Sequence, residues 1–174
     1  MSVPSGKMSV LVGDGFACVR LAGRANFTTS VDFKTLLNEL QQKGYSYFIL
    51  DLTDCTLMDS TFLGVLAGFG LKVGVPQTGG NPGHIELFNP NPRITELLEN
   101  LGVLHLFKIA QGDVNVDKCA PHNHESTNAD REEVTRTCLE AHQTLMNIHP
   151  DNVSRFKDVA AFLADDLKKL KAKV

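Results

Sequence analysis

Apolar positions change their spacing several times along the chain, and each change marks an element. Residues 8–12 (Met-Ser-Val-Leu-Val) and 16–22 (Phe-Ala-Cys-Val-Arg-Leu-Ala) are β-type runs, and Gly13-Asp14-Gly15 between them has hairpin turn chemistry. Gly23 is expected to break the second run. A helix is predicted from near Thr29, with Asp32 three residues on as an approximate capping box. Phe33, Leu36, Leu37 and Leu40 then recur at the spacing of one buried helical face, and Gly44 ends it. Residues 45–52 are almost continuously apolar, the pattern of a central strand covered on both faces. A short apolar helix follows over 59–71, a Gly- and Pro-rich loop over 74–83, and a strand over 84–88. Asn91-Pro92 reads as an N-cap with proline at the first helical position, and Ile94, Leu97, Leu98 and Leu101 form the apolar face behind it. Gly102 closes that helix, and residues 104–109 form the last strand. An opening hairpin followed by alternating units gives an α/β fold, a mixed sheet covered by helices.

After Ala110 the pattern lapses. Residues 1–110 read as one domain, 111–130 as a polar linker, and 131–174 as a helical hairpin extension. Val134, Cys138, Ala141, Leu145 and Ile148 form one stripe; Val153, Phe156, Ala160, Leu163, Leu167 and Leu170 form the other. The turn between them is His149-Pro150-Asp151-Asn152. Such a hairpin is too small to stand alone, so it packs on its own domain or against a second copy. Its flanks, Met146, Val159 and Phe162, also need cover.

The 174 residues carry a formal net charge of −3, which argues against a nucleic-acid or membrane-surface partner. The longest uncharged apolar run, Thr61 to Leu71, falls well short of the roughly 20 residues a membrane span needs, so no membrane insertion is expected. The first residues show no secretory pattern, and the four cysteines include no Cys-x-x-Cys pair. Reduced thiols and a cytoplasmic location are therefore expected.

The most informative segment runs from Phe48 to Gly68. A buried strand enters a short loop that ends at Asp59-Ser60, and an apolar helix begins there. Ser60 stands where an N-cap belongs. The first turn of a helix tolerates negative charge, so a hydroxyl there can carry phosphate without disrupting the fold. The run Leu57-Met58-Asp59-Ser60-Thr61-Phe62-Leu63-Gly64 resembles the signature of the STAS domain, specifically of bacterial anti-sigma factor antagonists. The resemblance extends over about residues 8–110 and includes the element order. It implies a binding protein, not an enzyme. The unphosphorylated form would hold an anti-sigma factor that is also a serine kinase, and so free a sigma factor. Phosphate on the motif serine, here Ser60, would break that complex, and a serine phosphatase would restore it.

The resemblance also implies a partner-binding face at Asp59, Thr61, Phe62, Asn26 and Phe27. Phe62 stands where the family usually has Gly, and Asn26-Phe27 where it often has an acid and a polar residue. Phe62 reads either as core or as a partly exposed anchor; the anchor is the expectation taken here. Gly64 and Gly68, one turn apart, would let the helix pack closely on a neighbour. The C-terminal hairpin has no counterpart in the minimal family, and it is expected to pack away from Ser60 and leave that face open. The alternative function is a STAS adaptor or scaffold that works without phosphorylation.

Rival chemistries are weaker. Asp51 and Asp54 lack the other parts of a receiver site. Cys119, His122, His124 and Glu125 fit no standard zinc spacing. Gly68-Phe69-Gly70 and Gly74 lack the Lys-Ser/Thr of a phosphate loop. No nucleophile–base set converges, so no catalytic residue, metal or cofactor is expected.

Overall fold

The computed structural model describes residues 6–74, 82–124 and 126–173. Residues 75–81 of the glycine-rich loop and Glu125 of the cysteine–histidine group lie outside them.

Strands β1 (Lys7–Val12) and β2 (Phe16–Ala25) form the hairpin, with Gly15 at φ +80 in its turn. Helix α1 (Phe27–Gln42) leads to β3 (Tyr47–Met58), α2 (Ser60–Gly74) to β4 (His84–Phe88), and α3 (Pro92–Asn100) through a 3-10 turn to the short β5 (Lys108–Ala110). The sheet order is β5-β4-β3-β2-β1-β6. β2 to β5 run parallel, and β1 is antiparallel to both its neighbours. The sixth strand, β6 (Ala120–Pro121), comes from the segment read as linker and pairs with Leu11 and Val12 of β1. Helices α4 (Arg131–Ile148) and α5 (Asp151–Ala172) form the C-terminal hairpin.

Alternation along the strands sets the core. Ala17, Val19 and Leu21 of β2, Phe48, Leu50 and Leu52 of β3, and Ile85 and Leu87 of β4 face one side, where Phe33, Leu36, Leu37 and Leu40 of α1 and Leu63 and Leu66 of α2 meet them. The opposite face is not the second apolar layer expected from residues 45–52. Arg20 and Asp51 lie on it, 3.3 Å apart, beside Ile49 and Glu86.

Several boundaries differ from the sequence reading. β2 does not stop at Gly23. Gly23 takes φ +79 within a register shift against β3, and the strand continues to Ala25. α1 starts two residues before Thr29. Its N-cap is Asn26, whose side chain accepts the Thr28 N–H, and Thr29 closes the box by accepting the Asn26 N–H; Asp32 takes no part. β3 runs on to Met58 through residues read as loop. The expected final strand is a 3-10 turn over Leu104–Leu106 followed by only three strand residues. α3 keeps the expected cap: the Asn91 side chain accepts the Ile94 N–H at 2.9 Å, and Pro92 opens the helix.

Candidate functional site

The site is the junction of β3 and α2. Because β3 extends to Met58, one residue remains between strand and helix, and that residue is Asp59. Its backbone carbonyl accepts the Leu63 N–H, and its Oδ1 accepts the Phe62 N–H at 2.8 Å. Asp59 is therefore the N-cap of α2, which corrects the assignment of that role to Ser60. The second carboxylate oxygen accepts the Phe27 N–H at 2.8 Å, which ties the start of α1 to the start of α2. One acid thus satisfies an orphan donor on each of two helices.

Ser60 is the first residue of α2 and is half-buried. Its hydroxyl has no capping duty. Instead, Ser60 Oγ lies 2.9 Å from Nε2 of His142, on α4. His142 Nδ1 is 2.7 Å from the Cys138 carbonyl, which can only accept, so Nδ1 carries a proton. In the neutral ring Nε2 is then the acceptor, and Ser60 O–H donates to it. Phe156 of α5 packs edge-on against the imidazole, with ring centroids 5.0 Å apart.

The hairpin thus lies over the site, not away from it as expected. The cause is the glycine stripe: a Cβ at Gly64 would stand 2.7 Å from the Ala141 Cβ, so only glycine lets the two helix backbones approach so closely. The stripe expected from the sequence to face a partner element does so, with Ala141 and Leu145 buried against the domain. Burial raises the pKa of the Cys138 thiol, the Thr61 side chain opposes that rise, and the Asp59 charge adds to it. Lys34 of α1 pairs with Glu140 at 2.8 Å. Asn152, fully buried at the start of α5, donates to the carbonyls of Leu101 and Leu145 at 2.9 and 2.8 Å.

Phe62 is not an exposed anchor. It is 0% exposed, stacked on Phe33 with centroids 4.3 Å apart and planes at 20°. A first-turn position faces inward here because Asp59 caps the helix one residue earlier than the serine-capped reading placed it. Thr61 is also buried. Phe27 is 48% exposed, and Asn26 serves as the cap of α1. Leu57, 36% exposed and two residues before Asp59, adds a second apolar side chain to the rim of the junction. Sequence reasoning singled out neither Leu57 nor His142. Leu57 stood within the quoted motif, and alternation along a longer strand would have turned it outward. His142 abuts the α4 stripe, but nothing local says which helix that stripe meets.

The rival groups have other employment. Asp51 pairs with Arg20 and accepts from Thr53 N–H at 3.1 Å. His122 lies 3.4 Å from Glu39 of α1. Among the described residues no three His, Cys, Asp or Glu side chains gather as metal ligands, and no helix is long and apolar enough to cross a membrane. All four cysteines are free thiols; burial raises Cys18 to about 11.

The model of the STAS domain family matches residues 7–112, and the chain belongs to that family. Among solved structures, an anti-sigma factor antagonist from Mycobacterium paratuberculosis is 18% identical, with a TM-score of 0.53 over 63% of this chain and 89% of that one. A candidate anti-sigma factor antagonist from Thermotoga maritima is 22% identical, with a TM-score of 0.51 over 62% of this chain and 87% of that one. These likenesses establish the fold. A search of curated proteins found no match.

Proposed function

We propose that this chain is an anti-sigma factor antagonist, a protein-binding module switched by phosphate on Ser60. The partner is an anti-sigma factor that is also a serine kinase; it is released when Ser60 is phosphorylated and recovered when a serine phosphatase removes the group. The observation that carries this reading is the division of labour at the start of α2. Asp59 holds the cap, so the Ser60 hydroxyl, engaged only with the His142 side chain, can accept a phosphoryl group while the helix keeps its start. The neighbouring backbone N–H groups and the helix dipole favour the added charge. Phe27 and Leu57 form the part of the docking face that the hairpin leaves open; Phe62 is excluded from it.

The test is incubation with the cognate kinase and ATP, read by intact mass. Wild type gains one phosphate and Ser60→Ala gains none. Phosphate on another residue, or none on wild type, rejects the switch. The second reading, an unphosphorylated adaptor, draws on the cover that α4 places over Ser60, and it requires partner capture that is equal for wild type and Ser60→Ala with no phosphate on either.

A further inference from the structure

We infer that the α4–α5 hairpin is a lid on the switch face, seated where a partner would dock, and that a phosphate on Ser60 and the closed lid exclude one another. The inference rests on the reading of Ser60 given above. Two contacts tie the lid to the switch helix near Ser60: Ser60 Oγ against His142 Nε2 at 2.9 Å, and the Gly64 backbone against Ala141; Lys34–Glu140, Asn152 to the Leu101 carbonyl and the buried Leu145 seat it further along.

Along the direction the Ser60 hydroxyl takes toward Nε2, the geometry leaves no room for a phosphoryl group. Oγ and Nε2 are already at hydrogen-bond distance, and Nε2 sits behind them in a ring that is 5% exposed, flanked by Phe156 and fixed at Nδ1 by the Cys138 carbonyl. A tetrahedral group bonded to Oγ would occupy the space of the imidazole. It would also bring negative charge beside the Asp59 carboxylate. The imidazole cannot swing aside while α4 remains seated, because the helix backbone already touches α2. Relief therefore comes from movement of α4 as a whole.

The seam is incompletely filled. Between α1, α2 and α4 lies an open cavity of about 230 Å³, edged by Lys34, Asn38, Lys72 and Glu140. The cavity borders the close contact at Gly64, which also lines it. The hairpin has its own small core of Leu139, Ala160 and Leu167, which keeps α4 and α5 paired as they move. A partner reaching Ser60 must first displace α4. The natural occupant of the vacated groove is a partner helix with a small side chain opposite Gly64, as Ala141 is now.

A disulfide across the seam reads the lid without any partner. A Cβ at Gly68, on α2, would lie 3.5 Å from Thr144 Cγ2, on α4, and a cysteine at 144 can place its sulfur where that methyl group stands. In the full chain carrying Gly68→Cys and Thr144→Cys, the bridge should form in a glutathione buffer. Adding Ser60→Glu should lower its equilibrium constant at least tenfold further than adding Ser60→Ala, which removes only the bond to His142. Equal bridging with Ser60→Glu and Ser60→Ala, or failure of the parent pair to bridge, overturns the lid. A second readout separates the lid from the switch. With the kinase and ATP, the reduced double variant should take phosphate and the bridged form should not. Equal uptake by both overturns the lid and leaves the switch standing. If not even wild type takes phosphate, the switch fails, and the bridging comparison still decides the lid.

Discussion

At the scale of single residues, Asp59, Ser60 and Phe62 exchange the roles their identities suggest. Asp and Ser are both good caps, so local chemistry could not rank them. The decision came from the length of β3, which leaves only Asp59 outside both elements. Ser60→Ala should therefore cost little stability, within about 0.5 kcal/mol beyond its bond to His142. Asp59→Ala should cost about 2 kcal/mol, the upper end for a cap, because it frees donors on two helices. Urea titration of the two variants, each alone and with His142→Ala to remove the serine's bond, measures the order; a serine change that stays costlier without His142 would return the cap to Ser60. Phe62→Ala should cost about 3–5 kcal/mol, since the ring is fully buried against Phe33. The motif itself was legible in the sequence. The inward turn of its aromatic was not, because an apolar side chain in a helix that is apolar nearly all round gives no facing signal.

At the scale of elements, the stripes on α1, α3, α4 and α5 were legible because helical spacing is local. What each stripe meets depends on topology, and α4 meets α2. The segment leading into α4 is anchored in a way no pattern announces. Asp32 of α1 accepts from the Thr127 N–H and Oγ1 and from Ser126 Oγ. Partial burial pushes its pKa upward, but these hydrogen bonds and the nearby His124 outweigh that, and the carboxyl is held below its ordinary value. A depressed carboxylate contributes stability above its unfolded pKa, near 4, and that contribution is lost as pH falls through the folded value. Hydrogen-exchange protection at residues 126–128, taken relative to the intrinsic rate at each pH, should therefore fall as the medium is taken below about pH 4. Asp32→Asn should show fast exchange already at neutral pH and lose the acid dependence. Equal protection in both chains at neutral pH would mean that Asp32 is not the anchor.

At the scale of the whole molecule, the hairpin divides its apolar surface unevenly. Leu145 and Ile148 of the α4 stripe, with Phe156, join the main core, and Met146 and Leu163 fill the seam between the two helices. Of the flanks expected to need cover, Val159 remains 43% exposed and Phe162 71%. The sequence carried the total apolar content of the hairpin, but it could not apportion it, because α5 meets the domain only through residues near its start such as Asn152 and Phe156, packs on α4 beyond them, and turns one side outward. The same residue type thus sits at two extremes in one chain. Phe162→Ala should shift the unfolding free energy by no more than about 0.5 kcal/mol, because its ring loses few contacts. A loss of ~2 kcal/mol or more, growing with protein concentration, would instead place Phe162 inside an interface between two copies, since only assembly makes stability depend on concentration. Measured beside Phe62→Ala under the same conditions, the pair tests the placement of the hairpin as a whole. If α4 were seated with its other face on α2, the outer side of α5 would change as well, and the low cost of truncating Phe162 would be lost.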